Sequence, residues 1–261
     1  MIFMKRSLLF LLLFACGIAL SGCTSQNAAP GLNTQSEPVA NRQPVLVELY
    51  TSEGCSSCPP ADRALTLLEK EQPVSSADAI TLEFHVDYWD GPSWKDPFSS
   101  AVFTQRQERY AVAFKYGSNY TPEMVVDGQT GFVGSNLGKA TAAIERSAAV
   151  EKGRIETVTN SGFIKIGIVN LPTHEKATVF LAAAEDDLAS NVSGGENAGE
   201  KLRHTSVVRE LKAIGTIEKD AGKFEIETAL PSQPAWKKEN VRFVIFVQED
   251  ASRKVIAVKR I

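Results

Sequence analysis

The chain of 261 residues lacks several things that would mark it for large classes of function. It has no surplus of positive charge: 28 Lys and Arg stand against 31 Asp and Glu, for a formal net charge of -3. A nucleic-acid surface needs a clustered basic excess, so no nucleic-acid partner is expected. Histidine is scarce. His85, His174 and His204 are the only three, and none stands beside a cysteine or second histidine at zinc-motif spacing. No metal and no cofactor is therefore expected. No internal repeat or nucleotide-binding signature stands out. Cysteine is also scarce, with four residues at Cys16, Cys23, Cys55 and Cys58. What remains is ordinary globular material, 43% hydrophobic and 23% charged, long enough for two modest domains.

There is one long apolar run. Met4-Lys5-Arg6 is basic, and Ser7 to Leu20 is almost continuously apolar. The run is short for a transmembrane helix, which needs about 20 residues, and suits a signal-peptide core. It ends in Leu20-Ser21-Gly22-Cys23, which resembles a bacterial lipobox. The resemblance implies a lipoprotein signal peptide over 1–22, with cleavage before Cys23 and lipid on its thiol. Thr24 follows where an inner-membrane retention signal would place aspartate, which favours the outer membrane, facing the periplasm. A plain secretory signal and an uncleaved short anchor are the alternatives. Residues 23–43, rich in Ser, Asn, Gln, Ala and Pro, read as a flexible tether.

Removing Cys16 and Cys23 leaves Cys55 and Cys58, three positions apart. So short a loop makes a poor staple, because a disulfide gains by closing a long one. It makes a good redox couple. Val45 to Tyr50 reads as a buried strand, Thr51-Ser52-Glu53-Gly54 as a turn, and Ala61 to Gln72 as a helix with an apolar face of Ala61, Ala64, Leu65 and Leu68. Pro59 and Pro60 suit a first helical turn, whose N–H groups lack intrahelical partners. Strand, CxxC and helix in that order put the cysteines at a helix N-terminus, where a thiolate is stabilised. Cys55 is then the exposed nucleophile and Cys58 the more buried resolving thiol. Glu48, on the strand, is a candidate to move the proton of Cys58, as a buried acid does at a similar place in thioredoxins; a paired or exposed strand residue is the plainer alternative. A zinc site, a copper site completed by His85 or His204, and an inert structural disulfide are the rival readings of the pair.

Ala79 to Val86 reads as a second strand, with His85 a hydrogen-bonded core residue or a copper ligand. It runs into a loop carrying Tyr88, Trp89 and Trp94, either a peptide-binding rim or a local core. A helix over 99–114 follows, then Tyr120-Thr121-Pro122, a strand from Glu123, an Asp127-Gly128 hairpin turn, a returning strand at 131–134, and a helix over 137–149. In thioredoxin folds a Thr-Pro at this place carries a cis-proline that packs on the redox pair, beside backbone groups that pair with an extended peptide. Residues 44–150 thus read as a thioredoxin-like α/β domain, with Cys55, Cys58, Thr121, Pro122 and Glu48 as its catalytic set.

The same stretch resembles a bacterial family of thioredoxin-like secreted proteins, domain-of-unknown-function family 1223. The resemblance rests on Leu49 through Asp62, on His85-Val86-Asp87-Tyr88-Trp89-Asp90, on Trp94-Lys95-Asp96-Pro97-Phe98 and on Tyr120-Thr121-Pro122. Gly194 through Leu202, with His204, Val207, Val208 and Arg209, extends it into the second half. It implies a thioredoxin-like fold and names no substrate.

From Arg154 the pattern changes to short alternating strands, at 163–169, 177–183, 224–229, 241–247 and 255–258. Residues 154–261 read as a separate antiparallel β-sandwich of Ig-like size, with a long loop near 186–203. That loop either folds over the first domain, so that His204 and Arg209 join Tyr88, Trp89 and Trp94 in binding substrate, or is a surface loop serving turn geometry. The functional expectation is a thiol–disulfide oxidoreductase of the cell envelope, of reductase or isomerase type, acting on thiols or disulfides of exported proteins and held to the membrane by its N-terminal lipid. No electron donor or redox partner is readable. The alternatives are a non-catalytic thioredoxin-like binding lipoprotein and a copper metallochaperone.

Overall fold

Strand β1 (Gln43–Thr51) opens the part of the chain described by this computed structural model, residues 42–261. The expected signal peptide, Cys16, Cys23 and nearly all of the expected tether lie outside the described residues. Gln43, expected as the last residue of the tether, pairs with Ala77 in a parallel ladder. After β1 come α1 (Pro59–Glu71), β2 (Ala77–His85), α2 (Ala101–Phe114), β3 (Glu123–Val126), β4 (Thr130–Val133) and α3 (Leu137–Ala148). Local chemistry sets the ends. Pro59 and Pro60 start α1, and Gln72 ends it in a left-handed conformation. Ser100 caps α2 through its side chain, and Asn136 caps α3. Asp127 and Gly128 turn β3 into β4, with φ of 46° and 67°.

The second half adds β5 (Arg154–Asn160), β6 (Phe163–Val169), β7 (Ala177–Glu185), β8 (Leu188–Asn191), β9 (Lys201–His204), β10 (Val207–Ile217), β11 (Lys223–Ala229), β12 (Val241–Glu249) and β13 (Val255–Arg260). These strands do not form a separate sandwich. Four of them extend the first half's sheet into one of eight strands, in the order β13-β12-β7-β10-β2-β1-β3-β4. The junction is β10 lying parallel to β2, with Val207 opposite Glu83, where Glu83 N–H donates to the Ser206 carbonyl. Residues 42–261 accordingly fall within one compact unit, and 150–154 is no boundary between units. A three-stranded sheet, β11-β6-β5, covers one face of the extension. The expected loop near 186–203 is largely the β8–β9 hairpin. The whole is a mixed α/β fold with a large central sheet and few helices, and no helix among the described residues is long and apolar enough to cross a membrane.

Strand alternation sorts β1 between two cores. Val45, Val47 and Leu49 pack with α1 and α3. Leu46 and Tyr50 face the other way, with Phe84, Phe103 and Tyr110, and the sheet brings Phe180, Val244 and Phe246 of β7 and β12 into that same core. A third core lies between the small sheet and the strands it covers, with Ile164, Ile166 and Ile168 against Val179, Leu181, Ile245 and Val247. The second core joins the two halves into one folding unit.

Candidate functional site

Cys55 and Cys58 form a disulfide with their Cα atoms 5.4 Å apart. The Cys58 carbonyl accepts from the N–H groups of Ala61 and Asp62, so the pair caps the head of α1. The expected exposure of Cys55 is corrected: both cysteines are fully buried, and the two serines between them face solvent. The stretch between β8 and β9 provides the cover. Asn197 Nδ2 donates to the carbonyls of Glu53 (2.8 Å) and Cys55 (3.0 Å). Glu196 accepts from Ser56 N–H (3.0 Å) and Ser56 Oγ (2.7 Å). A Cβ built on Gly195 would stand 3.7 Å from Gly54 Cα and 3.6 Å from Trp94 Cβ, so this segment lies directly against the loop that carries the disulfide.

The Thr121–Pro122 peptide is cis. Gly134 lies between Pro122 and the first turn of α1, since a Cβ there would stand 3.1 Å from Ala61 Cβ and 3.5 Å from Pro122 Cβ. Trp89 ties the rim together. Its Nε1 donates to Thr121 Oγ1 (2.7 Å), and its Cβ lies 3.2 Å from where a Gly54 Cβ would be. Tyr88 and Trp89 remain 43% and 37% exposed, and Trp89 leaves aromatic surface open beside Gly54. Tyr88 OH donates to Gln107 Oε1 (3.1 Å). Trp94 is half-buried under the Gly195 segment. The structure thus gathers Cys55, Cys58, Trp89, Trp94, Thr121 and Pro122.

It does not bring Glu48 to them. Glu48 shares the face of β1 that carries Leu46 and Tyr50, opposite the face that meets α1. There its Oε1 accepts from Arg106 Nε at 2.6 Å, and its Oε2 accepts from Tyr110 OH. The Arg106 guanidinium is buried among the rings of Phe84, Tyr110, Phe180 and Phe246, 5.1–5.7 Å from their centroids. Glu48 is therefore the counter-charge of a buried arginine and not a proton carrier for Cys58. One of the acids on the α1 face is Asp62, buried on the helix itself and accepting from Thr51 Oγ1 at 2.7 Å. Burial first, and then the nearby Glu83 carboxylate, push its pKa well above the ordinary range.

His204 and Arg209 depart from the expected substrate rim as well. Arg209 pairs with Glu185 (3.3 Å) and lies over Phe98 (5.3 Å). His204 is buried, with Nε2 3.1 Å from Glu53 Oε1 and Nδ1 2.9 Å from Glu83 Oε1. His85 joins it, with Nδ1 2.7 Å from Asp96 Oδ2 and Nε2 3.4 Å from Glu83 Oε1. Asp96 Oδ2 also accepts from Glu53 N–H (2.8 Å), which links the cluster to the turn before Cys55. Electrostatics follow from the packing. Burial works against a charged His204, but Glu83 and then Glu53 outweigh it and hold its pKa up at about 9. Burial likewise opposes charge on His85, and Asp96 and Glu83 raise it regardless. Burial alone would raise Glu83, yet His204 and His85 bring it below the ordinary range. Sequence reasoning missed this cluster because His204 and Glu83 are 121 positions apart and meet only where β10 joins β2.

The pattern of a family described as "Protein of unknown function (DUF1223)" matches residues 46–248. Among solved structures, protein AGR_C_4864 from Agrobacterium tumefaciens is similar over 83% of this chain and 93% of its own, at 24% identity and a TM-score of 0.67, a likeness of fold. A domain of the outer membrane lipoprotein Omp28 from Porphyromonas gingivalis aligns over 43% of this chain and 88% of its own, at 18% identity and a TM-score of 0.23. No curated protein matches the chain.

Proposed function

The chain belongs to DUF1223, a family of unknown function, and from that starting point we propose that it is a thiol–disulfide oxidoreductase of the cell envelope with a thioredoxin-like redox centre. The observation that carries the reading is the Cys55–Cys58 disulfide at the head of α1, beside the cis Thr121–Pro122 peptide. The order β2-β1-β3-β4, with β1 and β2 parallel and β3 antiparallel to both neighbours, supports the thioredoxin-like assignment. The Leu20-Ser21-Gly22-Cys23 stretch supports export and lipid anchoring at the outer membrane.

The chemistry is a two-electron exchange. In the reducing direction the Cys55 thiolate attacks a substrate disulfide, forming a mixed disulfide and releasing one substrate thiolate. The Cys58 thiolate then attacks Cys55 Sγ, closing the Cys55–Cys58 bond and releasing the second substrate thiolate. Two electrons and, after protonation, two protons end on the substrate. The oxidising direction is the reverse, with a substrate thiolate attacking Cys55. The N–H groups and partial positive charge at the head of α1 favour either cysteine as thiolate. Asp62 is the nearby buried acid whose raised pKa suits proton exchange. Trp89 and the Thr121 backbone offer an extended peptide an apolar wall and an edge to pair with. Entry requires the Gly195–Asn197 segment to move aside, because both cysteines are buried beneath it.

That burial also favours a second reading, in which the disulfide fastens the loop of a non-catalytic binding lipoprotein. Cys58→Ala separates the two. Exported proteins trapped as mixed disulfides on Cys55, and absent with Cys55→Ala, are the expected outcome; a variant that traps nothing while its Cys55 reacts freely with small disulfides rejects the enzyme.

A further inference from the structure

Strand alternation places Glu83 and His85 on the α1 face of β2, at the end where β10 lies parallel to it and His204 of β9 meets it. Here both imidazoles converge on one carboxylate oxygen. Glu83 Oε1 lies 2.9 Å from His204 Nδ1 and 3.4 Å from His85 Nε2. The opposite nitrogen of each ring is held by a further carboxylate, His85 Nδ1 by Asp96 (2.7 Å) and His204 Nε2 by Glu53 (3.1 Å). Hydrogen bonding leaves this arrangement incomplete: His85 Nε2 and Glu53 Oε2 are buried with no partner. A buried polar atom without a partner is costly and calls for an explanation.

We propose that Glu83, His85 and His204 form a binding site for a divalent transition ion of the zinc type. The three ligand atoms lie within 4.8 Å of one another. Bonds of about 2.0–2.1 Å in a tetrahedral shell set neighbouring ligand atoms about 3.3 Å apart, and the 2.9 Å and 3.4 Å separations bracket that value. An ion there would occupy the orphaned His85 nitrogen. Asp96 and Glu53 already stand where second-sphere carboxylates fix the tautomer and aim of metal-bound histidines. Two imidazoles and one carboxylate suit zinc and its neighbours better than the soft cuprous ion, and they leave a fourth position open. The site is separate from the cysteines: its ligands are on β2 and β9, and its ion needs no thiol. This assignment stands or falls independently of the redox reading.

The test uses the full-length chain with Cys16 and Cys23 replaced by serine throughout and with Cys55 and Cys58 both changed to serine as well, so that no thiol competes. After chelator treatment it is titrated with Co2+ under visible absorption, and with Zn2+ under thermal melting. The expected result is one equivalent of Co2+ giving the intense visible bands of a tetrahedral site without sulfur-to-metal charge transfer, and a Zn2+-dependent rise in Tm. H85Q and H204Q abolish both. D96N, which removes only the carboxylate that orients His85, weakens binding by about 10–100-fold. Absence of both the Co2+ bands and the Tm rise overturns the proposal. So does binding that survives H85Q and H204Q, or binding seen in the Cys55–Cys58 dithiol form and lost when both are serine. If H204Q fails to fold, H85Q, D96N and the double-serine titration still decide the question.

Discussion

Changing Glu48 to glutamine separates a structural carboxylate from a redox one. Both oxygens of Glu48 are engaged, one by Arg106 at 2.6 Å and the other by Tyr110 OH, with side-chain exposures of 0% for Glu48 and 7% for Arg106. Glutamine keeps the shape and removes the charge, which leaves the Arg106 guanidinium buried without its counter-ion. Breaking a buried pair by removing one partner costs about 3–5 kcal/mol, a large share of the roughly 5–15 kcal/mol that holds a typical domain folded. The four rings around Arg106 favour the cation but do not replace the carboxylate. Urea denaturation at neutral pH reads the loss as a lower midpoint at unchanged m-value. Replacing both partners by methionine should recover most of it, to within about 2 kcal/mol of wild type, since a buried pair and a well-packed apolar substitute come close to balance. The Cys55–Cys58 reduction potential should be the same in E48Q and wild type. A stability loss below about 1 kcal/mol, together with a shifted potential, would refute the placement of Glu48 away from the thiols.

Other outcomes follow from the same structure. Burial, and then the charge of Glu48, hold the pKa of Glu123 at about 7 against an ordinary 4.5. Between those values the folded protein keeps a proton that the unfolded chain releases, so stability falls as pH rises through that window. E123Q should lack this decline, gaining up to about 3 kcal/mol relative to wild type between the two ends, read by denaturation at a series of pH values; parallel curves would show that Glu123 ionises normally. Asn197→Ala removes two buried hydrogen bonds from the cover over the cysteines. It should cost about 1–3 kcal/mol and speed reduction of the disulfide by dithiothreitol, and an unchanged rate would mean the segment does not limit access. Gly128 has a φ of +67°, and a Cβ there would fall 1.8 Å from the Arg253 carbonyl oxygen. Gly128→Ala should therefore destabilise by about 1–3 kcal/mol, and a neutral melt would place that backbone elsewhere.

The local signals carried far in the first half. Pro59-Pro60 and Asp127-Gly128 mark element ends by chemistry that acts within a few residues, and α1 and the β3–β4 turn fall at them. The Cys55–Cys58 pair at the head of α1 and the Thr121-Pro122 dipeptide before β3 were legible for the same reason, as each is a motif complete in itself. Glu48 was not. Alternation tells which residues of β1 share a face, but not which face α1 will cover. Strand β10 escaped notice because register shifts at Val208/Glu210 and Ala213/Gly215 break its alternation, and with it went the junction that merges two expected domains into one sheet. Strand β5 was missed because it is a sheet edge with Ile155 as its only buried residue. The contacts of Asn197 with Cys55 and of His204 with Glu53 depend on a hairpin folding back across more than half the chain, a contact that no window of sequence contains.

The central claim is that Cys55 and Cys58 are a working redox couple, and its most direct measurement is their reduction potential, taken by equilibrating the full chain with glutathione or dithiothreitol buffers and quantifying free thiols. The account predicts a potential above about -300 mV, in the span of roughly -270 to -120 mV occupied by thiol–disulfide enzymes. A potential below about -300 mV, the mark of a structural bond, would contradict it.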